Sequence, residues 1–61
     1  MRREDAVALA AGDVVRCKRS GLAVRVDRVS VMAGGLVVVE GRYVCDGRVR
    51  TFWATEIERE A

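Results

Sequence analysis

Cys17 and Cys45 are the strongest nucleophiles in this 61-residue chain, and no histidine accompanies them. A thiol becomes a working nucleophile when a nearby base or positive charge holds it as thiolate. The absence of His also removes the commonest general acid–base. Two Cys without His fall short of the four ligands of a closed zinc site. Nine carboxylates are present, but most fall in expected turns or near the termini, where solvated carboxylates are the norm. Gly34-Gly35 is followed by no Lys-Ser/Thr, so no phosphate loop is formed. The residues therefore predict a chain that binds rather than catalyses, with no cofactor and no metal.

The side chains suited to binding gather around one turn. Arg48, Arg50 and Phe52 share a face of an expected strand, with Trp53 on its other face. Arg42 is expected to join the two arginines across an intervening hairpin. Tyr43 is read either as core with its hydroxyl at the rim or as part of the arginine face. Arg guanidiniums beside an aromatic ring suit phosphates and stacked bases, or an acidic protein surface. Phe52 and Trp53 cannot both be core. Either one anchors the strand and the other stands exposed as a binding hot spot, or Phe52 simply packs under the lead-in segment; the alternation does not say which of the two aromatics is exposed. Arg16, Lys18 and Arg19 make a second basic group, read mainly as a charged strand edge that discourages sheet-to-sheet pairing.

Charge and length limit the options further. Net charge is +2, but residues 12–53 hold eight bases against four acids, while Glu56, Glu58 and Glu60 outweigh Arg59 in the tail. A mildly basic body attracts acidic partners yet falls short of a dedicated DNA binder. Ten of the eleven bases are Arg, the residue better suited to bidentate contacts. No signal peptide, lipidation motif or apolar run of about 20 residues is found. The expectation is a cytoplasmic location without membrane contact, with both thiols reduced.

Residues 1–61 are read as a single domain with residues 1–11 as a lead-in, either a helical turn capped at Gly12 or a loose strand. Twelve valines and no proline make a strand composition. Strands are expected over 13–18, 22–32, 36–44 and 48–53. Val15 and Cys17 point one way on the first, and Val14, Arg16 and Lys18 the other. On the second, apolar residues run Leu22, Val24, Val26 and then switch phase to Val29 and Val31, the signature of a β-bulge. Gly41 inside the third predicts a kink or close backbone approach. Asp46-Gly47 predicts a tight hairpin. Thr55 with Glu58 fits a capping box, so a short 3₁₀ turn is expected to drop Ile57 onto the core, with room for a brief final strand. The fold class is all-β: a small SH3-like, five-strand, partly open barrel with a short terminal 3₁₀ turn. Closure or a homodimer would cover the second apolar face.

The stretch Gly12-Asp13-Val14-Val15-Arg16-Cys17-Lys18-Arg19-Ser20-Gly21 resembles the opening of the YodC-like proteins, small SH3-like barrels of bacteria and their mobile elements. Cys45, Asp46-Gly47, Phe52-Trp53 and Ile57-Glu58 are similar to the end of that family's pattern. The chain departs from it in lacking a Trp-Phe pair before Asp46-Gly47 and a Pro after Phe52, and in having Cys45 beside the turn. The resemblance implies fold more than function. The opening is also similar to the plasmid-borne type II dihydrofolate reductases, whose activity rests on a Val-Gln-Ile-Tyr stretch. Here that stretch is Val49-Arg50-Thr51-Phe52-Trp53, and the chain holds no Gln, so that activity is not expected. The leading expectation is a non-catalytic protein-binding module of adaptor or inhibitor type, of phage or plasmid ancestry. The alternative is a nucleic-acid-binding barrel using the Arg–aromatic face.

Overall fold

Alternating valines form strands because each can then bury its branched side chain on one face of a pleated sheet. The computed structural model describes residues 1–59; Glu60, counted above with the acidic tail, lies outside the described residues. In chain order the elements are helix α1 (Arg3–Val7), strands β1 (Val14–Cys17) and β2 (Ala23–Val31), a 3₁₀ turn (Ala33–Gly35), strands β3 (Val37–Tyr43) and β4 (Val49–Trp53), a second 3₁₀ turn (Ala54–Glu56) and strand β5 (Ile57–Arg59). The strands make one antiparallel five-stranded sheet in the order β4-β3-β2-β1-β5. The first four form a meander, and β5 returns to the free side of β1. No described helix is long and apolar enough to cross a membrane.

The sheet is bent but not closed. Its terminal strands β4 and β5 are not paired with each other among the described residues. In a flat sheet four strand spacings would separate them by about 19 Å. Instead Phe52 of β4 and Ile57 of β5 lie in one buried cluster with Val15, Cys17, Val24, Val26, Val39 and Leu9. Part of the bend is built at a bulge. The β2–β3 register slips between Val26 and Arg28, leaving Asp27 as the extra residue, where the apolar phase of the sequence changes. Gly41 sits against this site, paired with Val26. A Cβ there would lie 2.5 Å from the Arg25 carbonyl oxygen and 2.8 Å from a Val24 methyl.

The lead-in folds as a short helix over one end of the core. Ala6 is fully buried in a second cluster with Val37 and Ala54, and Leu9 enters the main one. Gly12 does not cap the helix, which ends at Val7. It turns the chain with φ +95° and donates its N–H to the Val26 carbonyl at 2.8 Å, tying the lead-in to β2.

Two local expectations are corrected. Asp46-Gly47 is not a two-residue hairpin. The Tyr43 N–H donates to Arg48 O at 3.0 Å and the Gly47 N–H to Tyr43 O at 2.8 Å, so the loop is Val44 to Gly47. Gly47 supplies the positive φ of +74° at its end, and Asp46 Oδ1 accepts the Arg48 N–H at 2.9 Å. Nor does Thr55 cap with Glu58: Glu56 Oε1 accepts the Trp53 N–H at 3.0 Å, at the start of the 3₁₀ turn. The consequence foreseen for that turn holds, since Ile57 is fully buried and opens β5.

Candidate functional site

Register decides which side chains share a face. On β3, Val37, Val39, Gly41 and Tyr43 face inward, with Val38, Glu40 and Arg42 on the outer side. Their β4 partners follow: Val39 pairs with Phe52 and Gly41 with Arg50, inward; Val38 pairs with Trp53, Glu40 with Thr51 and Arg42 with Val49, outward. Phe52 is thus the buried aromatic. It is 4% exposed and meets Tyr43 edge-on at 5.8 Å between ring centroids. Trp53 is the exposed one, at 49%.

The expected arginine face is split by this register. Arg48 and Arg50 lie on the inward side at the rim of the sheet, and both are exposed. Arg42 is on the outer side, opposite Arg25 on β2, and its Nε donates to Asp27 Oδ2 at 3.2 Å. The loop between β3 and β4 has an even number of residues, so Arg42 meets an odd-numbered residue of β4 and cannot stand beside Arg48 and Arg50. Tyr43 belongs with the core, half-buried beneath the hairpin.

The second basic group has a structural setting. β1 lies between β2 and β5, so Arg16 is not on a sheet edge as the sequence suggested. Its Nη1 donates to the Gly21 carbonyl at 2.6 Å across the following turn. Lys18 and Arg19 are exposed in that turn, and the Lys18 backbone N–H donates to Glu56 O at 2.9 Å.

Cys17 is buried at this same turn, while Cys45 is exposed in the β3–β4 loop. A hydrogen bond from the Ser20 hydroxyl pulls the Cys17 thiol below its ordinary pKa, against the opposing effect of burial; backbone N–H groups of Ser20 and Arg19 and the Tyr43 hydroxyl act in the same direction as Ser20. The sulfur is walled off from solvent, which sets it apart from the accessible thiolates of catalytic cysteines. Among the described residues no three Cys, Asp or Glu side chains gather as a metal-binding group.

The feature that residue-by-residue reading missed is an apolar surface around Trp53. Two open depressions of about 500 and 320 Å³ are both lined by Trp53. Leu36, Val37 and Ala54 line the first, and Met32, Val38 and Thr51 the second. Leu36 and Met32 are each more than half exposed, as is Val31 on the adjoining strand end. These residues come from the two sides of the Ala33-Gly34-Gly35 turn and from β4, so only the pairing of Val38 with Trp53 brings them together. The visible signal in the sequence was Val31-Met32 and Leu36 crowding a glycine turn, where polar residues are the rule.

Comparison of the chain with protein families, with curated proteins and with solved structures finds no match.

Proposed function

We propose that the chain is a non-catalytic protein-binding module whose contact surface is centred on Trp53. The observation that carries this reading is a large aromatic half out of the fold, flanked by two apolar depressions and by exposed Met32 and Leu36. Contiguous exposed apolar surface on a small domain marks interaction sites, and Trp is among the residues that dominate interface energy. Met adds an adaptable surface that repacks around a partner. The same reading makes the module an adaptor or inhibitor of YodC-like kind, acting in the cytoplasm.

The nucleic-acid alternative draws less support from the geometry. It needs Arg42, Arg48, Arg50 and an aromatic on one face. Register separates Arg42 from the other two, Asp27 engages it, and Phe52 is buried.

The test is capture of partners from host lysate on tagged wild-type and Trp53→Ala protein, with and without nuclease. A discrete protein held by wild type, resistant to nuclease and lost with the variant is the expected result. Recovery of nucleic acid, with every protein partner released by nuclease, would reverse the order of the two readings.

A further inference from the structure

The two ends of the sheet differ in what they offer. β5 spans three of the described residues, and short edge strands are poor templates for further pairing. β4 is five residues long, and its far side meets no strand among the described residues. The phase of its ladder follows from the hairpin. Tyr43 and Arg48 form a hydrogen-bonded pair, and opposed residues of an antiparallel ladder alternate between bonded and non-bonded pairs. Gly41–Arg50 and Val39–Phe52 are therefore the next bonded pairs. Val49, Thr51 and Trp53 turn their N–H and C=O groups away from β3. The Trp53 amide agrees with this phase, since it donates to the Glu56 side chain and not to β3. The N–H groups of Val49 and Thr51 are left facing outward from the sheet.

The side chains along this edge have two characters. Val49, 56% exposed, and Trp53 lie on the outer face, and Arg48 and Arg50 on the other. Arg48 stands 3.8 Å from Asp46 with its side chain 82% exposed. The Arg50 guanidinium makes no hydrogen bond or ion pair among the described residues. No acid occurs between residues 47 and 55.

Resting on the protein-binding reading above, we propose that the partner is an extended acidic segment that adds to β4 as a sixth strand. Its backbone pairs with Val49 and Thr51. Its residues alternate, carboxylates facing Arg48 and Arg50 and apolar side chains facing Val49 and Trp53. Strand addition draws affinity from main-chain hydrogen bonds and specificity from alternate side chains, and opposite charges across a strand pair are favourable. A second copy of the chain is a poorer occupant. Antiparallel pairing of β4 with itself about Thr51 would place Arg50 diagonally across from its own copy, within reach for long side chains, and would bring no acid to that face.

The experiment titrates the full chain into a fluorescein-labelled peptide of about eight residues alternating Glu and Val, long enough for one strand. A Lys–Val peptide and a single-stranded oligonucleotide run beside it, and binding is read by anisotropy. The Glu–Val peptide is expected to bind, and Arg50→Glu to weaken it about tenfold or more while strengthening the Lys–Val peptide. Thr51→Pro removes an outward N–H from an edge strand, a position where proline is tolerated, and is expected to abolish binding with the melting midpoint little changed. Arg50→Glu keeps the proposal testable even if the proline variant unfolds. Equal binding of both peptides, preference for the oligonucleotide, or a wild-type dimer that Thr51→Pro dissolves would each overturn it. If the lysate partner is lost with Trp53→Ala but kept by Arg50→Glu and Thr51→Pro, strand addition fails and the protein-binding reading stands. Release of that partner by nuclease removes both.

Discussion

Gly41 carries more of the fold than its size suggests, and for a reason unrelated to backbone freedom. Its φ is not among the positive values; what matters is the missing side chain. A Cβ at 2.5 Å from the Arg25 oxygen would meet backbone, which cannot swing aside as a flexible side chain would. Gly41→Ala is expected to destabilise by about 1–3 kcal/mol or more, the range for forced overpacking, read as a fall in the urea midpoint at unchanged slope. Cys17 gives a second residue-level expectation, through pH. Its pKa in the folded chain is below the ordinary thiol value of about 9, with the Ser20 hydrogen bond as the first cause. Folding thus favours the thiolate. The stabilisation is complete above the unfolded pKa and is lost as pH falls through the folded one. As pH rises towards the ordinary thiol value of about 9, the stability of wild type should rise relative to that of Cys17→Ala and then level off above it, measured by urea titration at each pH. A flat difference between the two proteins would remove the Ser20–thiolate interaction. Thiol labelling gives an independent check: exposed Cys45 should react promptly and buried Cys17 only at the rate of opening.

At the scale of elements, the bulge and the hairpin show why one was legible and the other was not. The bulge announced itself because the apolar residues change phase between Val26 and Val29, and an extra residue lets Val29 pack against the same core as Val24 and Val26. The hairpin did not, because Asp-Gly serves two purposes. It suits the centre of a two-residue turn, but here Asp46 closes an Asx turn onto Arg48 and Gly47 ends a longer loop. The choice between Phe52 and Trp53 was equally out of reach, since β4 carries large side chains on both faces and pairing with Val39 alone decides which goes in. The 3₁₀ turn that follows depends on one side chain. Glu56 holds the Trp53 amide and so sets how the chain leaves β4 for β5. Glu56→Ala is expected to cost about 0.5–2 kcal/mol, as loss of a capping side chain does, while Glu58→Ala, the partner the sequence had suggested, stays within about 0.5 kcal/mol as an exposed substitution.

For the molecule as a whole, the lead-in and β5 do what a closed barrel would otherwise do. A bent five-stranded sheet leaves its concave side open at one end, and Ala6 and Leu9 cover part of it while Met1 packs against both clusters. The helical reading of residues 1–11 holds, but which of its residues are buried was not legible, because the helix is too short to have a periodic face and burial there is set by the sheet it meets. β5 is the other half of the solution. It is short, but it carries Ile57, one of the largest fully buried side chains, onto the strand-end residue Cys17. A 61-residue chain has a total stability of only about 3–9 kcal/mol at the usual value per residue. Removing the Ile57 side chain to Ala is expected to cost about 2–5 kcal/mol, a large share of that total. Val31→Ala, which trims a side chain 56% exposed, should cost far less, since little surface is lost from the core. Ile57→Ala should therefore be partly unfolded at 37 °C by circular dichroism while Val31→Ala melts near wild type. A cooperative, near-native melt of Ile57→Ala would mean that β1 to β4 hold the core without their fifth strand, and that β5 is a cover and not a member of the folding unit.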